Sequence, residues 1–111
     1  MRRIALPGGP GVPVLGQGTW GLGESPARRT EEITALRAGI ELGMTLIDTA
    51  EMYGDGETES FLGEALAGLR QQVFIVSKVY PQNAGRGKIE RACDASLRRL
   101  RTDHILSLIH I

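Results

Sequence analysis

Val73-Phe74-Ile75-Val76-Ser77-Lys78-Val79 carries the clearest secondary-structure signal in this 111-residue chain. The stretch is rich in β-branched residues and predicts a strand. Upstream, Met44-Thr45-Leu46-Ile47-Asp48 is a second short apolar run and predicts another buried strand. A loop over 49–56 follows it, and then apolar residues recur at helical spacing, which predicts a helix between the two strands on Phe61, Leu62, Ala65, Leu66 and Leu69.

The same alternation continues outward in both directions. Upstream, the pattern predicts a helix capped by Thr30 and stopped by Gly43, with its apolar face on Ile33, Leu36 and Ile40. Before it, residues 3–6 and 12–15 flank a Gly/Pro-rich turn and predict a β-hairpin. Downstream, a third helix is predicted on Ile89, Ala92, Cys93, Ser96, Leu97 and Leu100, and an apolar run begins at Asp103. Strands alternating with helices predict an α/β fold with a parallel sheet.

Composition excludes several classes of function. Thirteen basic and thirteen acidic residues cancel, so no charge excess favours nucleic acid or an anionic membrane. No segment reaches the roughly 18 apolar residues of a membrane span, and the N-terminus lacks the apolar stretch of a signal peptide. The single cysteine, Cys93, can form no internal disulfide and fits a reducing compartment. We therefore expect a cytoplasmic protein; no feature of the sequence indicates an oligomeric state.

The spaced glycines of Gly16-Gln17-Gly18-Thr19-Trp20-Gly21 match a dinucleotide-binding fingerprint only superficially. That fingerprint requires the last glycine to open a helix, whose N-terminus holds the pyrophosphate. Here the next helix is predicted only near residue 30, so a Rossmann-type site is not expected.

Three polar side chains lie at or just beyond the ends of predicted strands: Asp48, Tyr53 and Lys78. Each has an ordinary structural interpretation, namely a loop cap for the aspartate, a packing tyrosine, and a lysine that extends to the surface. Together they favour a site, because the carboxyl ends of parallel strands meet at one edge, where open sheets and (β/α)₈ barrels place their functional residues.

These segments resemble the aldo-keto reductase family. Leu46-Ile47-Asp48-Thr49-Ala50-Glu51-Met52-Tyr53-Gly54, with Glu59 and Leu62-Gly63-Glu64-Ala65-Leu66, is similar to the family signature after the second barrel strand. Val76-Ser77-Lys78-Val79 resembles the third-strand signature, and Gly16-Gln17-Gly18-Thr19-Trp20 the end of the first strand. The resemblance implies the N-terminal portion of a (β/α)₈ barrel with an N-terminal hairpin, three strand–helix units and the start of a fourth strand. The residues of these motifs are most similar to those of bacterial members that reduce small aldehydes such as methylglyoxal.

The resemblance also implies a chemistry. NADPH would supply a hydride to the carbonyl carbon of a small aldehyde or ketone, and Tyr53 would protonate the oxygen. Lys78 would stabilise the phenolate, and Asp48 would keep Lys78 charged and in place. Gly18, Thr19 and Asp48 match cofactor-binding positions. Trp20 matches a substrate-pocket position, although simple core packing is the alternative for an aromatic residue.

Other functional signals are weak. Cys93 shares a helical face with apolar residues and is expected to be structural, packed against the sheet. One Cys and two His give no metal-ligand spacing. Two functions compete with a reductase: a regulatory subunit of the same fold that binds cofactor without turnover, and an unrelated α/β enzyme that shares only the strand order.

The resemblance ends near Ile105. The family places an acidic residue at position 106 and a catalytic histidine at position 111, where this chain has Leu106 and Ile111. His110 is one residue early, which in a strand reverses the direction of the side chain, and His104 occupies a position that is usually aromatic. Leu106-Ser107-Leu108-Ile109-His110-Ile111 equals the translation of a transposon mosaic end, CTG TCT CTT ATA CAC ATC. We therefore expect a partial barrel over residues 1–105 and adapter read-through over 106–111, the alternative being a natural apolar strand.

A (β/α)₈ barrel needs about 250 residues, and its phosphate sites tend to use loops after late strands. The 111-residue chain is therefore expected neither to bind NADPH tightly nor to turn over by itself.

Overall fold

The computed structural model describes residues 1–110. Position 111, where the family pattern would place its histidine, lies outside the described residues. In chain order the regular elements are β1 (Arg3–Ala5), β2 (Gly11–Pro13), β3 (Gly16–Gly18), α1 (Arg29–Glu41), β4 (Leu46–Asp48), α2 (Glu57–Ala65), β5 (Phe74–Val79), α3 (Lys88–Leu100) and β6 (Ser107–His110), with short 3₁₀ turns at Pro26–Arg28, Tyr53–Gly56, Arg70–Gln72 and Pro81–Asn83.

Two sheets organise these elements. β1 and β2 form the predicted antiparallel hairpin. β3, β4, β5 and β6 lie side by side in sequence order, and every neighbouring pair is parallel. Each step from one parallel strand to the next passes through one of the three helices. The α/β class and the parallel sheet predicted from the alternation are therefore confirmed.

The hydrophobic core lies between the helices and one face of the sheet. Ile47 of β4 and Ile75 of β5 are fully buried there against the apolar faces of the helices. Residues that alternate with them, Leu46, Phe74 and Val76, face the other side and are half-buried. A sheet with apolar residues on both faces is typical of a barrel wall, whose second face packs against the barrel interior.

A close approach between α1 and the sheet sets the position of β3. The Gln17 amide donates to the carbonyl oxygens of Leu36 and Met44, at 3.0 and 3.1 Å. A Cβ atom at Gly39 would stand 2.4 Å from Gln17 Oε1, so a larger residue there would push the Gln17 amide away from these carbonyl oxygens. Gln17 thus points toward the helix, and the neighbouring Gly16 and Gly18 lie on the opposite side of the strand.

The predicted start of α1 is wrong. Thr30 does not cap the helix but lies in its first turn, because helical backbone begins earlier, at Pro26. Proline fixes its own φ in the helical range and favours the first position of a helical turn. The chain passes directly from this 3₁₀ turn into α1 at Arg29, and the carbonyl of Thr30 accepts a hydrogen bond from the Thr34 hydroxyl at 2.9 Å.

Two other predicted elements are too long: the second helix at its end and the strand before it at its start. Leu69 lies beyond α2, which ends at Ala65. After Gly68, which has a φ of +80°, the N–H of Leu69 donates to the Leu66 carbonyl and closes a turn. The side chain of Leu69 still packs on the core. Met44 precedes β4 and turns back onto α1, where its N–H donates to the carbonyl of Gly39. The predicted stop at Gly43 is confirmed, since α1 ends at Glu41 and Gly43 has a φ of +98°.

Among the described residues, no helix has both the length and the hydrophobicity needed to cross a membrane. The glycines at 16–21 open no helix either, since the next helical turn begins at Pro26. The Rossmann-type arrangement that the sequence argued against is therefore absent from this part of the chain.

Candidate active site

The candidate site lies at the carboxyl edge of the parallel sheet. Asp48 is the last residue of β4, and Lys78 is the penultimate residue of β5. Asp48 pairs with Val76, so Lys78 lies two residues further along the neighbouring strand and faces the same side of the sheet. Tyr53 begins the 3₁₀ turn that follows β4. The structure thus brings together the three residues singled out in the sequence.

The ammonium of Lys78 is the centre of this cluster. It donates to Asp48 Oδ1 at 2.9 Å, to the carbonyl oxygen of Thr49 at 2.8 Å and to Tyr53 Oη at 3.4 Å. Nζ also lies 5.1 Å from the centroid of the Tyr53 ring. An ammonium has three donors, so this geometry provides one partner for each. The two shorter hydrogen bonds hold the ammonium in place, and the longest one places its charge beside the phenol oxygen of Tyr53.

Tyr53 is presented by a turn of unusual backbone geometry. Gly54, Asp55 and Gly56 all have positive φ, at 55°, 52° and 95°, and α2 begins at the next residue, Glu57. Glycine adopts this region without strain, whereas an aspartate does so at some cost. The turn reverses the chain sharply after Tyr53 and leaves its side chain half-buried beside Lys78.

The cofactor positions expected on the first strand lie beside Asp48. Gly18 ends β3 and pairs with Asp48 in the parallel register. No atom lies within 4 Å of a Cβ built on Gly18, so the sheet edge is open at that point. Thr19 is different, since it is fully buried and its hydroxyl donates to the backbone carbonyl of Asp48 at 2.8 Å. Its contact fixes the end of β4, and the open surface belongs to Gly18 and to the Asp48 carboxylate.

Trp20 is 83% exposed, which excludes core packing of this side chain within the described residues. It follows Thr19 in the turn beyond β3, at the same edge of the sheet as Asp48 and Lys78. A large aromatic surface exposed beside a cluster of polar groups is suited to contacts with a ligand. The expected substrate-pocket role is therefore compatible with where the residue lies.

Sequence reasoning missed a set of contacts that joins the two loops at this edge. Glu51 is buried and accepts hydrogen bonds from the N–H of Tyr80, at 2.8 Å, and from the amide of Asn83, at 2.9 Å. The phenol of Tyr80 donates to Asp55 Oδ1 at 2.7 Å. That hydrogen bond raises the pKa of Tyr80 above its ordinary value, because the carboxylate favours the protonated phenol. The loop after β4 is thus attached to the loop after β5.

A second missed feature is Glu59 of α2, whose side chain is completely buried. Its carboxylate binds Arg99 and the hydroxyls of Ser77 and Ser96. A signal was present in the sequence, because Glu59 lies three and seven residues before Leu62 and Leu66 and so shares their apolar face. A carboxylate on a buried face requires polar partners, but its position in the sequence does not identify them.

The remaining candidates lie elsewhere. His104 precedes β6, at the opposite edge of the sheet from Lys78, and its Nδ1 contacts the carboxylate of Asp103. In β6, Ile109 is paired with Lys78 and His110 with Val79, so His110 does not take the position opposite the lysine. Cys93 is half-buried at the margin of the stripe of α3 that packs inward, rather than within it. Residues 1–110 contain no group of three or more His, Cys, Asp or Glu side chains arranged to hold a metal ion.

Comparison with known proteins gives consistent results. Residues 14–111 match the model of the aldo/keto reductase family. The chain is 59% identical over 110 residues to methylglyoxal reductase YeaE of Escherichia coli, covering 98% of this chain and 39% of that protein. It is 36% identical over 104 residues to aldo-keto reductase YhdN of Bacillus subtilis, covering 82% of this chain and 31% of that protein.

Solved structures show the same similarity in three dimensions. An aldo/keto reductase from Klebsiella pneumoniae in complex with NADP and acetate superposes with a TM-score of 0.85 at 54% identity, over 88% of this chain and 35% of that one. The thermostable aldo-keto reductase Tm1743, in complex with the inhibitor epalrestat, gives a TM-score of 0.90 at 42% identity, over 99% of this chain and 43% of that one. The chain therefore spans well under half the length of the relatives it matches.

Proposed function

Because this chain belongs to the aldo/keto reductase family, we propose that it is part of a longer protein, here called the parent protein, which reduces small aldehydes and ketones to alcohols with NADPH. One observation carries the proposal: the Lys78 ammonium contacts both the Asp48 carboxylate and the Tyr53 hydroxyl at the carboxyl edge of the sheet. Methylglyoxal is the first substrate to test, since the E. coli relative named for that activity is 59% identical to the chain over 110 residues.

The surroundings of Asp48 fit the nicotinamide end of a dinucleotide. The side chain of Asp48 is 45% exposed, and it accepts the hydrogen bond from Lys78 through Oδ1. A carboxylate has further acceptor sites, which can receive the hydroxyl groups of a ribose. The open edge at Gly18 leaves room for a planar group beside it. When bound, NADPH supplies the hydride that the carbonyl carbon receives.

The chain's own residues handle the proton. Tyr53 Oη donates a hydrogen bond to the carbonyl oxygen of the substrate and transfers its proton as that oxygen gains charge. The nearby Lys78 ammonium stabilises the negative charge of the phenolate that remains after the transfer. Asp48 and the carbonyl of Thr49 hold the ammonium in place. Trp20, exposed at the same edge, provides an apolar wall for the rest of the substrate.

The parent protein is expected in the cytoplasm, since the one cysteine of this chain suits a reducing compartment. A regulatory subunit that binds NADPH without turnover is the competing function. Two measurements on the purified parent protein distinguish these functions: binding of NADPH, and consumption of NADPH in the presence of methylglyoxal. Binding without consumption would favour the regulatory role.

The direct test replaces Tyr53 by phenylalanine in the parent protein. Loss of the proton donor is expected to lower kcat with methylglyoxal by about 10²- to 10⁴-fold, with NADPH still bound. Tyr80→Phe is the matched control, since it removes a phenol whose hydroxyl donates to Asp55 rather than interacting with Lys78 Nζ. An unchanged kcat in Tyr53→Phe would contradict the mechanism, because the proton would then have to come from another group.

A further inference from the structure

A second polar cluster, centred on the fully buried carboxylate of Glu59, lies on the side of β5 that faces the helices. The carboxylate of Glu59 accepts hydrogen bonds from Ser77 Oγ at 2.9 Å and from Ser96 Oγ at 3.1 Å. It also forms an ion pair with Arg99, with Nε at 2.8 Å and Nη2 at 2.7 Å. Burial of a carboxylate is costly without such partners, and here four donors surround one carboxylate.

This cluster is attached to the strand that carries Lys78. Ser77 immediately precedes Lys78 in β5, is itself buried and faces the helices, whereas Lys78 faces the candidate site. The hydrogen bond between Ser77 and Glu59 therefore joins α2 to β5 one residue from the ammonium. Any shift of α2 along the sheet acts on the strand at that point.

The cluster is also in contact with the turn that carries Tyr53. A Cβ atom on Gly56 would stand 3.1 Å from Arg99 Cδ and 3.2 Å from Arg99 Nε, so the arginine lies directly against the turn. Glu59 itself is in the first turn of α2, which begins where the left-handed run from Gly54 to Gly56 ends. The ion pair thus supports the turn from below and anchors the helix that follows it.

We propose that Glu59 and Arg99 are positioning residues that hold the Tyr53 hydroxyl at hydrogen-bonding distance from Lys78. The Tyr53–Lys78 hydrogen bond, at 3.4 Å, is the longest of the three that Lys78 donates, and it joins the turn before α2 to β5. The Glu59–Ser77 hydrogen bond joins α2 itself to β5. Misplacement of a catalytic group by about 1 Å can cost roughly 100-fold in rate. The proposal rests on the proposed function, and neither residue is assigned a contact with substrate or cofactor.

The test is a double-mutant cycle in the parent protein with Glu59→Gln and Tyr53→Phe. Glutamine keeps the shape of the side chain but loses the charge that binds Arg99. Glu59→Gln alone should lower kcat by about tenfold or more while KM for NADPH is maintained. If Glu59 acts through Tyr53, the double variant should be no slower than Tyr53→Phe alone, because the misplaced hydroxyl is already gone. Product is measured over long incubations, so that slow variants remain quantifiable.

The matched control is Glu64→Gln, in the same helix. Glu64 also binds an arginine, Arg29, but this pair is partly exposed and lies near the carboxyl end of α2, whereas the Tyr53 turn precedes its amino end. Its kcat should equal that of the unsubstituted protein. If Glu59→Gln fails to fold, Ser96→Ala takes its place, since it removes one donor to Glu59 and one acceptor for Arg99 while both charged groups remain.

Each outcome has a defined meaning. Non-additive losses with intact NADPH binding support the positioning role. Losses that multiply in the double variant, or a normal kcat in Glu59→Gln, overturn it and leave the proposed function in place. Full activity in Tyr53→Phe overturns the proposed function itself, and the positioning role with it.

Discussion

Lys78 and Asp48 form an ion pair across two neighbouring parallel strands, with the ammonium 2.9 Å from Oδ1. The ammonium is the more enclosed partner, since the side chain of Lys78 is 18% exposed and that of Asp48 is 45% exposed. A pair with one partner this open to solvent contributes about 0–1 kcal/mol to stability. Its position beside Tyr53 indicates that its main effect is on the charge of the site.

This relationship predicts a separation between stability and activity. Asp48→Asn in the parent protein should leave the melting temperature nearly unchanged, because the pair contributes little to folding. It should lower kcat with methylglyoxal by about 100-fold, since Lys78 loses the carboxylate that fixes its ammonium near Tyr53. Thermal denaturation and steady-state kinetics on the same preparation check the two halves of the prediction.

Lys78→Met provides the complementary variant, because methionine matches the length of lysine without its charge. It should lower kcat at least as much as Asp48→Asn. A large loss of stability with unchanged turnover in either variant would mean that the ion pair is structural.

The hydrogen bond from Tyr80 to Asp55 predicts a pH effect. It raises the pKa of Tyr80 above its ordinary value of 10.0, so the folded state favours the protonated phenol. The stabilisation is therefore complete below pH 10.0 and is lost as the pH rises through the higher value of the folded protein. The tyrosinate absorbance of the parent protein should contain a component that titrates above pH 10.0.

Two variants assign that component. Tyr80→Phe should remove it, and Asp55→Asn should move it down toward the ordinary tyrosine value, because asparagine tolerates the left-handed backbone of this turn but carries no charge. A titration that is the same in all three proteins would contradict the assignment.

The alternation of apolar runs was sufficient to predict the sheet, the three helices and the edge where Asp48 and Lys78 meet. Those features depend on local periodicity and on a general property of parallel strands. The start of α1 was missed because Pro26 opened a helical turn before the expected cap at Thr30. Local rules compete at such boundaries, and tertiary contacts decide between them.

The buried cluster of Glu59 could not be predicted, for a different reason. Its partners Ser77, Ser96 and Arg99 lie 18, 37 and 40 residues away along the chain. Their meeting depends on how α2 and α3 pack on β5, which no single segment encodes. The sequence could show that Glu59 needed partners, and only the packed structure shows which ones it has.

The 111-residue chain by itself is predicted to be inactive. Within the described residues β3 pairs only with β4, and β6 only with β5, so each outer strand has one free edge that favours association with other chains. The loops that bind cofactor phosphates in such barrels tend to follow late strands. Isothermal titration should therefore detect no tight binding of NADPH to the chain, whereas the parent protein should bind it.

The same preparation should show no reduction of methylglyoxal, with the parent protein measured in parallel as the positive control. Reduction by the isolated chain at a rate close to that of the parent protein would contradict this prediction and would mean that four strands suffice for the site.

We propose that residues 106–111 are adapter read-through rather than native sequence. The structure places Ser107–His110 as a strand beside β5, but apolar and β-branched residues such as Leu108 and Ile109 form a strand whatever their origin. Only nucleic acid can separate the two explanations. Source DNA prepared without transposon tagging should continue past the codon for Ile105 with an acidic residue at position 106 and a histidine at position 111. Untagged DNA that encodes Leu-Ser-Leu-Ile-His-Ile at these positions would show that the hexapeptide is native and would leave the site without that histidine.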